Sequence, residues 1–248
     1  MRSVEDIYWW YTGLHNLVAK NARKILKNSP ELKVLDAGCG TGGMMAKLHQ
    51  VLPEVELIGI DFNPSAVEFT KQRNIGTVKQ ASVENLPFPN EFFDMVISLD
   101  VVCSEGVDDA QAFAEFNRVL KPGGSLLVNL AAFGFLKGEH SLAGHEERRY
   151  TKRKLSRLLT SAGFVVERMT YWNTTLFPVM ALWRPLSLML ANKQAPRSDL
   201  KPLPSFINQA LKGLILREIQ LTQSISLPFG SSVFAIARKI ELDNRILP

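Results

Sequence analysis

The sequence predicts an α/β protein built on a doubly wound, mostly parallel, seven-stranded sheet. Short apolar segments alternate with segments of helical length over residues 30–131, which is typical of strands joined by helical crossovers. The first apolar segment runs directly into a glycine-rich loop at 38–43, an arrangement found in Rossmann-like sheets. Two later segments, 164–172 and 230–239, alternate apolar and polar residues and are predicted to close the sheet.

The elements follow one another in a regular order. A helix is predicted over residues 3–27, with acidic residues in its first turn and basic residues in its last, which suits the helix dipole. The predicted strands are 33–37, 56–61, 76–81, 93–99, 125–131, 164–172 and 230–239. The predicted helices between them are 43–52, 64–73, 108–120 and 151–163. The Lys-Pro-Gly-Gly segment at 121–124 is a strong helix stop.

A long apolar insertion, residues 173–229, separates the last two strands. It contains two predicted helices, 176–191 and 204–225, and helices this apolar must be covered by something. Three arrangements are open: a cap over the active face, a dimer interface, or contact with a membrane surface. The cap fits the topology best, so Phe177 and Trp183 are predicted to line a pocket for a hydrophobic small molecule, such as a natural-product intermediate.

Composition is that of one folded soluble domain. We divide the chain into an N-terminal helix (1–30), a core (31–172 and 230–240) and the insertion (173–229). Lys and Arg outnumber Asp and Glu by 29 to 24, but the basic residues are scattered, which argues against a nucleic-acid partner. The two cysteines are far apart, so neither a disulfide framework nor a zinc site is expected, and the pattern suits the cytoplasm. No signal peptide and no membrane-spanning helix are predicted, and the chain is expected to be a monomer or a homodimer.

The segment 33-KVLDAGCGTGG-43 raises the question of which nucleoside cofactor the glycine loop binds. Asp36 ends the first strand immediately before the loop. A carboxylate there would repel a pyrophosphate but attract an ammonium group, which favours S-adenosylmethionine (SAM) over NAD(P). Asp61, at the end of the second strand, can accept hydrogen bonds from the ribose of either cofactor and does not discriminate between them.

Five ordered motifs resemble the class I SAM-dependent methyltransferases, and more narrowly the methyltransferase type 11 group. Together they cover roughly residues 30–130, and they are much more specific than a lone glycine motif. The motifs are 34-VLDAGCGTG-42, 59-GID-61, 84-ENLPF-88, 92-FFDMVISLDVV-102 and 118-RVLKPGG-124. The resemblance continues more loosely to residue 239.

The resemblance implies a set of cofactor contacts. Ser82 stands where relatives often have an Asp that contacts adenine, so the backbone of Val83 is expected to contribute more to recognition. Many relatives also have a His near position 104, where this chain has Ser104. The remaining implied contacts are Gly38, Gly40 and Gly42 around the aminoacyl part, Asp36 at the ammonium, Asp61 at the ribose, Phe62 against the adenine and Leu99 at the methionine part.

The N-terminal segment 7-IYWWYTGLH-15 places four aromatic residues in a row. Relatives use this helix as a lid over SAM, which implies contact of Tyr11 with the cofactor and of Tyr8 with the substrate. The two tyrosines share a helix face because they are three residues apart. Trp9 and Trp10 are expected to pack the helix onto the domain.

The loop 139–150 follows the fifth strand and faces the methyl donor. Methyl transfer needs a base only if the nucleophile must lose a proton. His140 and His145 have a suitable pKa and are the predicted catalytic residues, the alternative being that they orient the loop or face solvent. Arg148, beside Arg149, is predicted to hold an anionic substrate group, with a structural salt bridge as the alternative.

The leading hypothesis is therefore a small-molecule methyltransferase that converts SAM to S-adenosylhomocysteine and methylates O, N or C. One alternative is an NAD(P)-dependent oxidoreductase, which Asp36 disfavours. The other is a non-catalytic module that binds SAM for regulation.

Overall fold

The structure, a computed structural model, describes residues 2–26, 31–139, 141, 144–190 and 203–241. The predicted fold class is confirmed: one seven-stranded sheet runs in the order β3-β2-β1-β4-β5-β7-β6. Strands β1 to β5 are parallel, whereas β7 is antiparallel to both β5 and β6. The strands are β1 (Lys33–Ala37), β2 (Glu56–Asp61), β3 (Thr77–Gln80), β4 (Phe93–Leu99), β5 (Leu120–Ala131), β6 (Phe164–Trp172) and β7 (Ser232–Lys239).

Helices cover both faces of the sheet. One face packs on α5 and α6, and the other on α2, α3 and α8. The helices are α1 (Arg2–Ile7), α2 (Trp9–Ile25), α3 (Gly43–Val51), α4 (Pro64–Lys71), α5 (Asp109–Val119), α6 (Lys152–Ser161), α7 (Phe177–Leu190) and α8 (Ser205–Thr222), with a short 3-10 turn at Gly134–Leu136.

The insertion contains two helices as predicted, but they occupy different places. Helix α8 packs along α2, where Ile215 lies against Gly13 and Trp172. It is held by buried Glu218, whose carboxylate accepts hydrogen bonds from the backbone N–H groups of residues 174 and 175 at 3.0 and 2.9 Å. Helix α7 instead packs against the 3-10 turn that follows β5. Helix α7 therefore lies just beyond the carboxyl end of β5.

The N-terminal segment forms two helices, which corrects the prediction of a single one. Tyr8 is extended (ψ 135°) between α1 and α2. The side chain of Asn208 on α8 bonds to the backbone groups on either side of this break. Its Nδ2 donates a hydrogen bond to the carbonyl oxygen of Ile7, and its Oδ1 accepts one from the N–H of Trp9, both at 2.9 Å. The helix break at Tyr8 is stabilised by a residue about 200 positions away, so the local sequence does not predict it.

Replacing Asn208 with alanine is expected to lower the free energy of unfolding by about 1–3 kcal/mol, because it leaves two backbone groups at the helix junction without their partner. Urea denaturation measures the change. Gln209→Ala, at an exposed neighbouring position on the same helix, is the matched control. Equal stability of the two variants would contradict the bridging role of Asn208.

The boundary between α5 and β5 also differs from the prediction. The helix ends at Val119, and β5 already begins at Leu120, which pairs with Phe93. The next pair is Met95 with Ser125, so the Lys-Pro-Gly-Gly segment forms an irregularity within the strand. The predicted end of the helix is therefore confirmed to within one residue. The early start of β5 depends on its pairing with β4, which the local sequence does not predict.

Candidate active site

The carboxyl edge of the sheet brings three aspartates together. Asp36 lies in β1, Asp61 ends β2 and Asp100 directly follows β4. Because β1 is paired with both β2 and β4, their ends are adjacent. Ligands of open α/β sheets bind outside this edge, at the point where the strand order reverses.

The glycine loop has the conformation and the space that a ligand needs. Gly38, Gly40 and Gly42 all have positive φ, at 90°, 54° and 81°. A side chain at Gly38 would collide with Val101, since an added Cβ would lie 2.1 Å from its Cγ2. Around Gly40, in contrast, an added Cβ would have no neighbour within 4 Å in the part of the chain that the structure describes. The loop therefore bends tightly at its first glycine and presents open space at its second.

Asp36 is a buried carboxyl group with an unmet hydrogen bond. The residue is 2% exposed, and its Oδ2 has no hydrogen-bond partner among the described residues. Burial raises the pKa of Asp36 to about 8, and the nearby carboxylates of Glu5 and Asp61 add to the rise. A cationic donor placed here would supply the missing bond and stabilise the ionised form.

Asp61 closes the loop and stays available to a ligand. Its Oδ2 accepts from the N–H of Gly40 and its Oδ1 from that of Asn63, both at 2.9 Å. Each oxygen keeps a second lone pair for a ribose hydroxyl. The ring of Phe62 is 77% exposed immediately beside it. An aromatic face left open at this position suits a flat heterocycle such as adenine.

Helix α1 lies against the glycine loop through Glu5, which the sequence interpretation had not singled out. Its carboxylate accepts a hydrogen bond from the hydroxyl of Thr41. It accepts a second one, at 3.2 Å, from the N–H of Gly43 at the start of α3. His15 Nε2 is 3.9 Å from the same carboxylate. Burial lowers the pKa of His15 to about 4, so His15 is neutral near pH 7 and does not supply a charge here.

Tyr11 faces the site from α2. Burial raises its pKa to about 12, and the charges of Glu5 and Asp100 add to the rise, as does Tyr8. The ring meets that of Trp10 edge to face, with centroids 5.1 Å apart. Tyr8 and Tyr11 thus lie at the lid, and their contacts with a ligand remain predictions. Trp9 is buried, and Trp10 stacks on Trp172 with centroids 5.6 Å apart, so both pack as expected.

Asp100 is a candidate that the sequence interpretation missed. It has a positive φ of 58°, and its Oδ2 accepts from Asn129 Nδ2 at 2.9 Å. Trp172 Nε1 in turn donates to Asn129 Oδ1 at 2.7 Å. Burial raises the pKa of Asp100 to about 7, although the bond from Asn129 opposes the rise. The signal was present in the sequence, because Asp100 directly follows an apolar strand in the same way as Asp61.

The remaining cofactor-binding predictions stay untested. The hydroxyl of Ser82 accepts from the N–H of Glu84 at 3.2 Å and donates to its carboxylate. The side chain of Val83 is buried in the core, which leaves its backbone as the recognition group. Leu99 is partly buried and packs on the core at the end of β4.

Two predicted site residues have polar partners within the protein. The side chain of His145 is 79% exposed and lies 3.4 Å from Glu105, which fits the alternative that it faces solvent, and its catalytic role stays a prediction. Arg148 points into the β4–α5 loop, where its Nη2 donates to the carbonyl oxygens of Val102, Ser104 and Val107. It braces that loop, which fits the structural alternative, and its assignment to an anionic substrate group stays a prediction. His140 lies outside the described residues.

Phe177 and Trp183 of α7 differ in their surroundings. Phe177 joins an aromatic cluster, with ring centroids 5.9 Å from Phe133 and 5.2 Å from Phe229. Phe133 also stacks on Tyr171 at 4.8 Å. The cluster lies just beyond the carboxyl end of β5, where an acceptor would enter. Trp183 is 58% exposed, so its place in a substrate pocket remains a prediction.

The sheet order, the glycine loop and the strand-end acids define the class I methyltransferase fold. More narrowly, residues 35–128 match the family model described as "Methyltransferase domain", which confirms the resemblance to the type 11 group. The chain is 36% identical over 138 residues to "Ubiquinone/menaquinone biosynthesis C-methyltransferase UbiE" of Shewanella sp. (strain W3-18-1). That match covers 52% of this chain and 53% of the relative, so the chain spans about half the length of the curated relatives it matches.

Solved structures share the fold at low sequence identity. Geranyl diphosphate C-methyltransferase from Streptomyces coelicolor A3(2), in complex with S-adenosyl-L-homocysteine, has a TM-score of 0.59 at 18% identity, covering 92% of this chain and 81% of its own. The [4+2]-cyclase SpnF also has a TM-score of 0.59 at 18% identity, covering 90% and 80%. One fold therefore accommodates different reactions, and function must be argued from the site.

Proposed function

We propose that this protein is a SAM-dependent methyltransferase that acts on a hydrophobic small molecule. The observation that carries the proposal is the carboxyl oxygen of buried Asp36 that lacks a partner among the described residues, beside the open space at Gly40. An unpaired buried acceptor is costly unless a ligand supplies a donor. The ammonium of SAM is such a donor, whereas the phosphates of NAD(P) are not. The match to the methyltransferase family model supports the same choice.

The residues of the site fit SAM from end to end. Asp36 would hold the ammonium, Asp61 the ribose hydroxyls and the exposed ring of Phe62 the adenine. Glu5 and Tyr11 would close the lid over the cofactor. SAM supplies an electrophilic methyl group that is already activated, so the protein contributes mainly proximity and alignment.

Asp100 is proposed as the general base. It faces the lid from the end of β4, and its pKa of about 7 allows it to take up a proton at neutral pH. Asn129 orients the carboxylate by donating to one of its oxygens. Asp100 is proposed for this role in preference to His145, whose side chain is 79% exposed.

The acceptor is proposed to be an aromatic or prenyl-bearing small molecule. The cluster around Phe177 offers an apolar, aromatic surface next to the carboxyl end of β5. The name of the curated relative, which refers to ubiquinone and menaquinone biosynthesis, supports a quinol-like ring as the first class to test. Both cysteines of the chain are free and buried, which supports a reducing compartment such as the cytoplasm.

Calorimetric titration with SAM, and separately with NADH, tests the cofactor. Micromolar binding of SAM without binding of NADH is expected, and binding of NADH alone would contradict the role of Asp36. The SAM-bound protein is then incubated with a panel of prenylated benzoquinols, naphthoquinols and phenols. Formation of S-adenosylhomocysteine with any acceptor rejects the alternative of a non-catalytic SAM-binding module.

A further inference from the structure

Helix α7 presents an apolar face to the outside of the protein. Val179, Leu182, Trp183 and Leu186 are 65%, 79%, 58% and 48% exposed. Residues four positions apart share a helix face, so these side chains form one continuous stripe. The helix is thus inverted relative to an ordinary surface helix, whose outer face is polar. Its Arg184 lies inward, against Gly138.

Two more exposed aromatic residues lie near the start of α7. Phe135 and Phe229 are 56% and 41% exposed, and their ring centroids lie 6.2 and 5.2 Å from that of Phe177. Phe177 is seven residues from Arg184 and shares its inward helix face, so these rings form a second apolar area and not a continuation of the stripe. The four stripe residues are themselves a connected patch, which marks an interaction surface more strongly than scattered apolar residues do.

Charge is concentrated in the same part of the chain. The insertion, residues 173–229, contains six Lys or Arg and two acidic residues, Asp199 and Glu218. The rest of the chain holds 23 basic and 22 acidic residues, so the insertion carries a net +4 of the chain's +5. Two of its basic residues lie on α8, where Arg217 is exposed and Lys212 is partly exposed.

We propose that the outer face of α7 docks on an anionic lipid bilayer. An apolar stripe in a basic segment suits a helix that lies in the interface, with its apolar side chains among the acyl chains and its basic groups near the phosphates. A second copy of the chain is the less suitable occupant, because each copy would bring the same positive segment to the contact. In the described part of the chain no helix is long and apolar enough to cross a membrane. The proposal does not depend on the methyl-transfer reaction.

Flotation of the full chain with vesicles tests the proposal. Vesicles of phosphatidylcholine mixed with phosphatidylglycerol are compared with vesicles of phosphatidylcholine alone. About 10-fold stronger partitioning onto the anionic vesicles is expected, with loss of that preference at high salt, because each nearby basic residue contributes roughly a 5-fold factor that salt screens.

Two substitutions separate the apolar and the charged contributions. The double variant Leu182→Gln and Trp183→Gln should reduce partitioning by about 10-fold or more, since it removes two side chains that would enter the bilayer. Val165→Gln, at an exposed apolar position in β6, is the matched control and should leave partitioning unchanged. Arg217→Gln should reduce partitioning onto anionic vesicles only, with Lys71→Gln on α4 as its control. Circular dichroism and thermal melts verify that each variant folds.

Three results would overturn the proposal. The wild type could fail to float on anionic vesicles. The double variant could float as well as Val165→Gln. Finally, sedimentation in the absence of lipid could reveal a dimer that the double variant abolishes, and the stripe would then be covered by a second copy of the chain.

Discussion

Asp36→Asn is expected to weaken SAM binding by about 100-fold or more while making the cofactor-free protein more stable. The loss of affinity, roughly 3 kcal/mol, follows because a buried ammonium would lose its charged partner. The gain in stability follows because the substitution removes a carboxyl group whose ionised form is destabilised by burial. Most substitutions that disrupt a site by misfolding would lower both quantities, so the opposite signs are diagnostic.

The role of Asp36 also predicts how the free energy of unfolding depends on pH. The pKa of Asp36 rises from 3.8 to about 8 in the folded protein. Between those values the unfolded chain has lost this proton while the folded chain retains it. The contribution of Asp36 to stability is therefore present below about pH 4 and is lost as pH rises toward 8. The Asn variant should lack this part of the decline.

Urea denaturation across this pH range and calorimetry with SAM measure the two effects. Binding of the ammonium should ionise Asp36, so the wild type should release a proton on binding SAM near pH 7, detectable as a buffer-dependent binding enthalpy. Asp108→Asn is the control, because Asp108 is an exposed helix cap where Asn serves equally well. Unchanged SAM affinity in Asp36→Asn would refute the assignment.

The sequence was informative where function depends on local backbone. Consecutive residues of the sequence were enough to predict the glycine loop and the strand-end residues Asp36 and Asp61. The structure places them side by side, as expected. Glu5 and Asn208 could not be found in this way. Each acts on an element distant in sequence, Glu5 at the start of α3 and Asn208 at the junction of α1 and α2. Their roles arise from tertiary packing.

The histidine and arginine predictions also depend on more than local sequence. Residue type suggests a base and an anion site in the loop after β5, but loop conformation decides where a side chain points. The backbone at His145 is left-handed (φ 52°), and the ring is exposed. The guanidinium of Arg148 is used by the carbonyl groups of a neighbouring loop. A polar side chain therefore has no functional meaning until its hydrogen-bond partners are known.

Asp100→Asn is expected to lower kcat by about 100-fold to 10,000-fold with little change in SAM affinity, because it removes the proposed proton acceptor and leaves the glycine loop intact. The substitution is nearly isosteric, and asparagine tolerates the positive φ at this position. The wild-type rate should rise with pH through about 7, as the carboxyl group ionises, and the variant should lose that dependence. The readout is S-adenosylhomocysteine formation with the best acceptor from the quinol panel.

Glu105→Gln provides the control, since this carboxylate is in the same loop but its side chain is 72% exposed to solvent. It should keep both the rate and its pH profile. A variant Asn129→Leu separates orientation from proton transfer, because it removes the bond to Asp100 but keeps the base. It should retain a pH-dependent rate, shifted upward in pH, since losing that bond raises the pKa of Asp100 further. If Asp100→Asn instead kept the wild-type profile, the acceptor would give its proton to water or to another group, and Asp100 would serve only to hold β5 and the lid in register.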